Sequence, residues 1–523
     1  SSKYEDIITN SELIRPGPPA VYKITVGKRN VNKLNKTILL VGETGAGKST
    51  LVNALFNHIM GVKWEDEVWF QVVEEKGKRE TESQTPDVIV YEFFSFEDET
   101  LPYSLTIIDT PGFGDTRGAE HDVIISQRLL DLFRSADGVH EVNAVGLVMK
   151  ATDNRLSDRQ SYVFDSVMSL FGKNVEKNIV AFLTHSDGMP DSNAVQAIED
   201  FKIKCARDEE NQPVHFLFNN RLNIQRTKKT EFVLDTAWKV TNEGMSQFTA
   251  FLEKTGPQEL VTTVEVLKER VRLTACIQNL QDRIEFIEQK QIEIKQTEGT
   301  LKKYEEEMKK NKDFTVEVDE SYKAREPTIG GMWFLVFYQG AVCCKICEEN
   351  CHYPGCTVAW KPAHCEVMKD GRCTACSRKC PASDHVKENW RYVTKTRRVK
   401  KTNAEMKQKY TKNQAGHEMG SSLLEDLNKE MNQLTEEKSR YLQEAYQHAD
   451  RLKKFALKAS SVSTYVHLDF LIEKMKEVGD TVKVQELQEM KTQEDTGFMA
   501  AVCPQTSKLA IDELKPGQIQ QLL

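Results

Sequence analysis

The residues with the most specific chemistry in this sequence form a glycine-rich loop, Gly42-Glu43-Thr44-Gly45-Ala46-Gly47-Lys48-Ser49-Thr50. An apolar stretch (residues 37–41) precedes the loop, and a helix-like stretch (residues 51–56) follows it. In loops of this spacing, backbone N–H groups point at phosphates, the lysine reaches the terminal phosphates, and the serine hydroxyl ligates Mg²⁺. The sequence therefore predicts a nucleotide site whose phosphate-binding residues are Gly42, Gly45, Ala46, Gly47, Lys48, Ser49 and Thr50.

A second motif, Asp109-Thr110-Pro111-Gly112, comes directly after a predicted strand at residues 105–108. A buried strand that ends in Asp beside a phosphate loop supplies a carboxylate that holds Mg²⁺ through water. The Gly112 amide is placed to sense the terminal phosphate. The same four residues make a good turn on their own, but their position after a strand favours a nucleotide site.

Polar residues at the ends of two later strands indicate which base is bound. Asp187 ends the box Thr184-His185-Ser186-Asp187, and Asn220 follows the strand at residues 214–218. A carboxylate at position 187 accepts hydrogen bonds from the N1–H and exocyclic amine of guanine, a pattern that adenine does not offer. We therefore predict GTP rather than ATP, although a turn at a strand end is the alternative and the box departs from the N-K-x-D usual in GTPases.

These motifs need a scaffold that brings several strand ends together. Between residues 37 and 252, short apolar strands alternate with amphipathic helices, which predicts an α/β domain with a doubly wound parallel sheet. Beyond about residue 256, two apolar stripes with coiled-coil spacing predict long helices. The stripes consist of Ile277, Leu280, Ile284, Ile287, Ile294, Leu301 and Met308, and of Leu424, Leu427, Met431, Leu434, Tyr441, Ala445, His448, Leu452 and Phe455. An antiparallel hairpin within one chain and a parallel seam between two protomers both fit this spacing.

Nine of the twelve cysteines fall between Cys343 and Cys380, within an insert that separates the two helical arms. Cys-x2-Cys-x3-Cys occurs twice, each time with a His close behind, and thiolate and imidazole ligands at this spacing suit tetrahedral Zn²⁺. We expect two structural knuckles, with disulfides and an iron–sulfur cluster as the alternatives. The Zn²⁺ candidates are Cys344, Cys347, Cys351, His352, Cys356, Cys365, Cys373, Cys376, Cys380 and His385.

Two stretches beside the insert, residues 314–318 and 390–395, alternate as strands do and are predicted to pair at its base. A basic run at residues 395–409 is interpreted as a solvated surface. The predicted divisions are an N-terminal segment (1–36) with an edge-like strand at residues 21–26, a GTPase domain (37–255), a first helical arm (256–313), a zinc module with flanking strands (314–400), a second arm (401–480) and a tail (481–523).

The phosphate loop, the stretch D-T-P-G-F-G-D-T, the box ending in Asp187 and the strand ending in F-N-N resemble the immunity-associated (GIMAP-like) GTPases, relatives of septins and chloroplast-envelope import GTPases. The resemblance covers roughly residues 37–252. It implies that GTP or GDP binds with Mg²⁺, that Thr85 is the switch threonine and an Mg²⁺ ligand, and that Asp109 and Gly112 form the second switch. It also implies that His185, Asp187 and Asn220 contact the base, and that the protein dimerises across the GTP face.

Hydrolysis is expected to be slow in an isolated subunit. Phe113 occupies the position where Ras-like GTPases carry a glutamine that orients water, and a phenyl ring cannot do this. A second subunit would then complete the site, and Arg117 and His121 are candidates to act across it. The alternative for both is a solvated surface charge.

Composition limits the remaining possibilities. A chain of 523 residues predicts two to four domains, and a net charge of -8 makes nucleic acid an improbable partner. No apolar run is long enough to cross a membrane, and without a secretory signal we expect a cytoplasmic protein. We therefore predict a GTP-dependent dimerisation switch with a zinc-stabilised region for an unidentified protein partner. The alternatives are a catalytically silent, nucleotide-bound scaffold and an ATP-driven motor.

Overall fold

The computed structural model describes residues 8–15, 20–29, 32–66, 68–73, 87–94, 102–112, 119–152, 158–189, 193–221, 224–303, 315–328, 340–353, 361–402, 405, 423–459 and 462–492. The chain divides into two compact units. Unit 1 contains Ser1–Leu267, Leu452–Val466 and Glu489–Leu523, and unit 2 contains Lys268–Arg451 and His467–Gln488. Within the described ranges, no helix has a stretch long and apolar enough to span a bilayer.

Unit 1 is built on an eight-stranded sheet flanked by helices. In chain order its elements are β1 (Ile8–Arg15), β2 (Val21–Val26), β3 (Asn35–Gly42), α1 (Lys48–Ile59), β4 (Val88–Phe93), β5 (Ser104–Asp109), α2 (Ala119–Arg134), β6 (Glu141–Val142), β7 (Ala144–Lys150), α3 (Asp158–Met168), β8 (Ile179–Thr184), α4 (Asn193–Asp200), β9 (His215–Leu217), α5 (Glu231–Lys254) and β10 (Gln258–Glu259). The strand order is β1-β2-β4-β5-β3-β7-β8-β9, and β6 pairs with β10 in a separate small sheet.

The sheet is mixed rather than wholly parallel as predicted. Strands β5, β3, β7, β8 and β9 run parallel, and so do β2 and β4. The β1–β2 and β4–β5 pairs are antiparallel. Each antiparallel pair joins strands that are close in sequence, and such short connections favour antiparallel pairing because parallel strands need a long crossover.

The core of unit 1 lies on both faces of this sheet, which confirms the doubly wound arrangement. Successive residues of β3 point to opposite faces, so Leu39 and Val41 pack in one apolar cluster while Ile38 and Leu40 pack in the other. The first cluster includes residues of α2, α3 and α4, and the second includes residues of α1 and α5. Burial on both faces fixes the carboxyl end of β3, where the phosphate loop begins.

Residues 8–26 differ from the prediction. The strand at residues 21–26 was expected at an edge, but β2 lies inside the sheet because β1 pairs with its outer side and β4 with its inner side. The segment 1–36 therefore contributes strands to the GTPase sheet.

The remaining elements are α6 (Val261–Lys303), β11 (Thr315–Pro327), β12 (Ala341–Cys344), β13 (Glu349–His352), β14 (Met368–Lys369), β15 (Arg372–Cys373), β16 (His385–Glu388), β17 (Trp390–Thr402), α7 (Leu423–Phe455), α8 (Val462–Val478) and α9 (Thr481–Thr492). Strands β11 and β17 form a long antiparallel ladder. The ladder contains both stretches that were predicted to pair. However, Trp390 lies opposite Pro327 and Thr315 opposite Thr402, so the two predicted stretches do not face each other. Strands β13, β12 and β16 form a small antiparallel sheet.

The basic run at residues 395–401 is largely paired with acidic side chains across the ladder. Arg397 and Lys401 both contact Glu320, at 2.8 and 2.5 Å, and Lys395 contacts Glu326 at 2.7 Å. Opposite charges directly across two strands stabilise a ladder modestly. The run is therefore a charge-balanced surface in unit 2 rather than a free basic patch.

Helices α6 and α7 contact each other within one chain and run antiparallel. His448 Nδ1 lies 3.0 Å from Glu269 Oε2, and the Arg283 guanidinium lies 3.9 Å from the centre of the Tyr441 ring. The predicted stripe residues at 277, 280, 284, 287 and 294 are buried, as are those at 441, 445, 448 and 452. Phe455 is 54% exposed, whereas Met308 and the side chains of Leu301, Leu424 and Leu427 lie outside the described part. True coiled-coil packing stays a prediction.

The cysteine-rich insert, which was predicted to separate the two helical arms, packs against one of them. It lies beside the middle of α6, where Arg272 Nε donates to the Glu366 carbonyl at 3.0 Å and Asn279 Nδ2 donates to the Asn350 carbonyl at 2.7 Å. These polar side chains interrupt the apolar face of α6 and satisfy backbone oxygens of the insert. The insert is therefore held along its length.

Candidate functional site

The phosphate loop connects the end of β3 to the start of α1. Gly45 and Gly47 have φ of +79° and +95°, values that L-residues with side chains rarely adopt, so glycine is needed at both turns. The Lys48 ammonium donates to the carbonyls of Gly42 at 2.9 Å and Glu43 at 3.0 Å. Burial lowers the pKa of Lys48 to about 8, although Asp109 and Glu43 oppose this shift. The loop thus holds a buried, cationic side chain at its centre.

A hydroxyl and a carboxylate meet beside this lysine. Ser49 Oγ donates to Asp109 Oδ2 at 3.2 Å, and Asp109 is fully buried at the end of β5, opposite Leu40 of β3. Gly112 follows closely, and a Cβ at this position would lie 2.2 Å from Thr44 Oγ1. Only glycine therefore lets the second motif approach the loop this closely. Ser49 and Asp109 provide the oxygen ligands that Mg²⁺ prefers.

The residues predicted to recognise the base lie at the ends of β8 and β9. Ser186 N donates to the Phe218 carbonyl at 3.0 Å, and Asn219 Nδ2 donates to the Ser186 carbonyl at 2.8 Å, so the two turns are linked. Asp187 is exposed, and its Oδ1 accepts from Met189 N at 2.9 Å. Asn220 Oδ1 accepts from Thr241, while its buried Nδ2 has no partner in the part of the chain described. The unpaired donor is available to a ligand.

His185 and Thr184 connect the base turn to the phosphate loop. Thr184 Oγ1 donates to the Ala46 carbonyl at 2.7 Å, and His185 Nδ1 lies 3.1 Å from the same hydroxyl. His185 has φ of +56°, a backbone conformation uncommon for histidine, and its ring is exposed. The sequence did not identify Thr184 as a site residue. Its position at the end of a predicted strand was the feature that could have indicated this role.

An aromatic cavity adjoins the base turn and was also missed. It has a volume of about 430 Å³ and is lined by Asn219 and by Trp64, Arg226 and Trp238 among others. Arg226 lies 3.5 Å over the Trp64 ring and donates to the Trp64 carbonyl at 2.9 Å. These residues come from three separate segments, so no local motif could reveal the cavity.

Four residues that were predicted to act in the two switches belong to parts of the chain that the structure does not describe in full. Thr85, Phe113 and Arg117 lie outside the described residues, and His121 is in α2 but its side chain is not described. Their roles stay predictions. The loop residues, Asp109 and Gly112 form one site, and the base residues extend it along the carboxyl ends of the parallel strands.

The cysteine-rich insert brings ligand atoms into two groups of four. One group is Cys344, Cys347, Cys376 and Cys380, and the other is Cys351, Cys373, Cys376 and His385; within each, the ligand atoms all lie within 4.8 Å of one another. Each group therefore draws ligands from both halves of the insert, an arrangement that the spacing of the two predicted knuckles left open. Hydrogen bonds from the thiols of Cys344 and Cys351 lower the pKa of Cys376 to about 4.

Other candidates lie apart from these groups. His352 Nδ1 is 3.2 Å from Cys365 Sγ, so these two form a separate pair, and Cys356 is not among the described residues. Burial raises the pKa of Cys343 to about 12 and that of Cys276 to about 11. Cys343 Sγ contacts Asn350 Oδ1 at 3.5 Å. Cys343 and Cys276 are therefore neutral, packed thiols.

Comparison with known proteins identifies the domain that carries the nucleotide site. Residues 36–243 match the AIG1 family. GTP-binding protein A of Dictyostelium discoideum is 27% identical over 156 residues, which is 30% of this chain and 29% of that protein. Septin-1 of Drosophila melanogaster is 34% identical over 91 residues, which is 17% of this chain and 22% of that protein. The chain thus spans less than a third of the length of either relative.

Solved structures to which part of this chain is similar include Toc33 from Arabidopsis thaliana. Its complex with GDP and Mg²⁺ is 16% identical, with a TM-score of 0.29 over 42% of this chain and 85% of that one. Its complex with Mg²⁺ and GMPPNP is 18% identical, with a TM-score of 0.28 over 43% of this chain and 86% of that one. The family match covers β3 through most of α5, including every described residue of the nucleotide site. Residues 36–243 of this chain are therefore an AIG1 family domain, that is, a GTPase domain of the GIMAP type.

Proposed function

We propose that this protein is a GTP-dependent dimerisation switch. The observation that carries the proposal is the convergence of Lys48, Ser49 and Asp109 at the ends of β3 and β5. Lys48 Nζ is held on the carbonyls of Gly42 and Glu43, and Ser49 Oγ is held on Asp109 at 3.2 Å. A cation beside a hydroxyl–carboxylate pair is the arrangement that triphosphate recognition requires.

The phosphates would lie against the loop at residues 42–50. Its backbone N–H groups would donate to phosphate oxygens, and Lys48 would exchange its bonds to two carbonyls for bonds to the terminal phosphates. Ser49 and, through water, Asp109 would hold Mg²⁺, with Thr85 as a further ligand from the first switch. Bound there, Mg²⁺ would neutralise charge on the phosphate groups.

Guanine would lie against the turns after β8 and β9. The Asp187 carboxylate would accept from the N1–H and exocyclic amine, and the unpaired Nδ2 of Asn220 is a donor suited to a carbonyl of the base. The exposed imidazole of His185 would stack on the ring. This donor and acceptor pattern favours guanine over adenine.

Hydrolysis would proceed by attack of water on the terminal phosphate, with charge neutralised by Lys48. Thr85 and Gly112 would report whether that phosphate is present, because Gly112 approaches Thr44 of the loop with no room for a side chain. Phe113 cannot orient the water, so we expect a second subunit to raise the rate through the GTP face. Arg117 and His121 are the candidates to contribute across that face.

Unit 2 would bind a protein partner through a region stabilised by Zn²⁺. We expect the protein to act in the cytoplasm. Nine of the ten Zn²⁺ candidates are buried or half-buried near another candidate, seven of them in the two groups and two in the His352–Cys365 pair. The alternative is a scaffold that binds nucleotide without using it. Phe113 favours this alternative, whereas the intact contacts of Lys48, Ser49 and Asp109 favour the switch.

Turnover of GTP and ATP should be measured with purified protein over a wide concentration range, with Mg²⁺ present. We expect GTP turnover per subunit to rise with protein concentration, because dimerisation completes the site. Tight GTP binding with constant, negligible turnover would establish the scaffold instead. Equal affinity for ATP would contradict the assignment of Asp187 and Asn220.

Variants would then identify what the second subunit supplies. Arg117→Ala and His121→Ala should abolish the concentration dependence while leaving GTP affinity unchanged. Arg440→Ala is a suitable control, since this arginine is exposed in unit 2. If neither substitution in the second switch alters the turnover, the residues that complete the site lie elsewhere on the GTP face.

A further inference from the structure

The two groups of metal-binding residues in unit 2 share one member. Cys376 belongs to the group with Cys344, Cys347 and Cys380, and also to the group with Cys351, Cys373 and His385. The groups therefore contain seven residues in all. Tetrahedral Zn²⁺ takes four ligands, so two independent sites would need eight donors. Among the described residues, no eighth donor belongs to either group.

The spacing of the sulfurs fits metal binding rather than oxidation. Cys347 Sγ lies 3.7 Å from Cys380 Sγ. Two thiolates on one tetrahedral Zn²⁺, each about 2.3 Å from the metal, are separated by about 3.8 Å. A disulfide requires a sulfur–sulfur distance of about 2.05 Å. This pair is thus placed as two ligands of one ion.

Backbone N–H groups point at the sulfurs and support them as thiolates. Cys380 N donates to Cys376 Sγ at 3.2 Å, and Cys376 N donates to Cys373 Sγ at 3.3 Å. Cys347 N donates to Cys344 Sγ at 3.4 Å. Hydrogen bonds to sulfur orient metal ligands and reduce their charge. Backbone N–H groups therefore hold cysteines of both groups in place, including the shared residue Cys376.

His385 is oriented as a terminal ligand of the second group. Its Nδ1 lies 2.9 Å from the Pro381 carbonyl, which fixes the proton on that nitrogen. The buried Nε2 makes no hydrogen bond within the described part of unit 2 and is free to face the thiolates. Neutral imidazole with the proton directed at a backbone carbonyl is the form in which histidine binds zinc.

Charge also favours a shared thiolate. The groups contain six cysteines, so two divalent ions and six thiolates carry a formal charge of -2. Two separate sites of the same kinds would need a seventh thiolate and one more negative charge. The ligands are almost all buried, where each uncompensated charge is costly. Bridging reduces the charge that the interior must hold.

We propose that these seven residues bind two zinc ions bridged by the Cys376 thiolate, with Cys344, Cys347 and Cys380 completing one tetrahedron and Cys351, Cys373 and His385 the other. This inference rests on the proposed function to the extent that unit 2 binds Zn²⁺. It goes further by fixing the number of ions, the ligands of each and the residue that links them. The two ions then form one structural cluster in place of two independent knuckles.

The test uses the full chain. Zinc content is measured by elemental analysis, and zinc is then replaced by ¹¹³Cd for NMR. We expect at least two metal ions per chain and two ¹¹³Cd signals that couple to each other through the bridging sulfur. Two signals without coupling would overturn the bridge and leave the zinc module intact. A chain that binds no metal would overturn the bridge and the zinc part of the proposed function together, without affecting GTP binding.

Two variants sharpen the result. Cys376→Ser should lower the metal content by about two ions per chain, because both tetrahedra lose a ligand, whereas Cys347→Ser should lower it by about one. Cys343→Ser is the matched control, since this buried thiol lies outside both groups and should leave the metal content unchanged. Loss of a single ion from Cys376→Ser would contradict the bridge. The ¹¹³Cd coupling in the unaltered protein decides the question even if a variant fails to fold.

Discussion

The phosphate loop of unit 1 and the cysteine cluster of unit 2 are both candidate ligand sites, but they are assembled differently. The loop draws its phosphate ligands from nine consecutive residues, 42–50, and relies mainly on backbone N–H groups. The cluster draws side-chain ligands from both halves of the insert, between Cys344 and His385. A short motif thus defines the first site, whereas tertiary structure defines the second.

The apolar cores that hold the two sites also differ. The loop joins a strand and a helix that are anchored in the two large apolar clusters of unit 1. The small core of the insert consists largely of the cysteines themselves, with Ala275 of α6, Val342, Val367 and Ala375 among the few other members. A core of this kind buries little apolar surface without its metal. We therefore expect the nucleotide site to fold without ligand and the cluster to depend on metal.

Metal removal should produce the largest effect. A zinc-selective chelator, applied with excess Mg²⁺, should make residues 341–388 sensitive to protease, because structural zinc contributes about 10 kcal/mol or more to small modules. GTP affinity should change by less than about twofold, since the hydrogen bonds of Lys48, Ser49 and Thr184 at the phosphate loop lie within unit 1. Limited proteolysis with mass spectrometry and titration with a fluorescent GTP analogue measure the two responses.

The outcome tests the contrast directly. Protection that survives chelation would mean that the insert folds on its apolar core and its bonds to α6. A large fall in GTP affinity would mean that the two sites are coupled, and the comparison would no longer hold. Restoring protection with added Zn²⁺ is the control for damage by the chelator.

Lys48→Ala should have the next largest effect. The ammonium makes charge-assisted bonds to phosphates, and losing about 3 kcal/mol of them lowers GTP affinity about 100-fold. Lys177→Ala is the matched control, because Lys177 is exposed in unit 1 and away from the loop. Affinity is measured with the same fluorescent analogue, and zinc content should stay constant in both variants. An unchanged affinity in Lys48→Ala would mean that nucleotide does not bind at this loop.

Sequence alone was sufficient to predict which residues meet at the candidate nucleotide site, because its parts are local. The loop, the Asp109 motif and the order of strands each depend on a short run of residues, and the family match supports them. Parallel strand ends then bring Asp187 and Asn220 together without further information. Thr184 and the aromatic cavity lined by Trp64 and Arg226 were not predicted, because these residues become neighbours only when separate segments of the chain meet.

The cluster shows where such reasoning fails. Cysteine spacing predicted zinc ligands, but Cys-x2-Cys-x3-Cys does not reveal that Cys351 joins Cys373 and His385 while Cys344 joins Cys380. The pairing is set by the fold of the insert, including its bonds to Asn279 and Arg283 of α6. Asn279 and Arg283 interrupt the apolar stripe of α6. In the sequence, this interruption was the one indication that another polar segment packs beside the helix.

The smallest predicted effect concerns protons and tests how the phosphate loop is preorganised. Burial lowers the pKa of Lys48 to about 8 in the nucleotide-free protein, and a bound triphosphate should raise it because the charged form is favoured beside anions. GTP binding should therefore take up a proton when the pH lies between these two values. Affinity should be constant well below pH 8 and should fall by less than tenfold per unit above it.

Calorimetry at pH 8.5 in two buffers of different ionisation enthalpy measures this uptake. At that pH the phosphates of GTP are already ionised, so the uptake should be about three-quarters of a proton and should come from the protein. No proton uptake would mean that Lys48 is already charged in the empty loop, held by the carbonyls of Gly42 and Glu43. In that case the charge of Lys48 would be in place before GTP arrives, unlike the thiols of the zinc cluster, which lose their protons when the metal binds. A measured uptake would separate the two sites, since zinc binding releases protons from thiols whereas GTP binding would consume one.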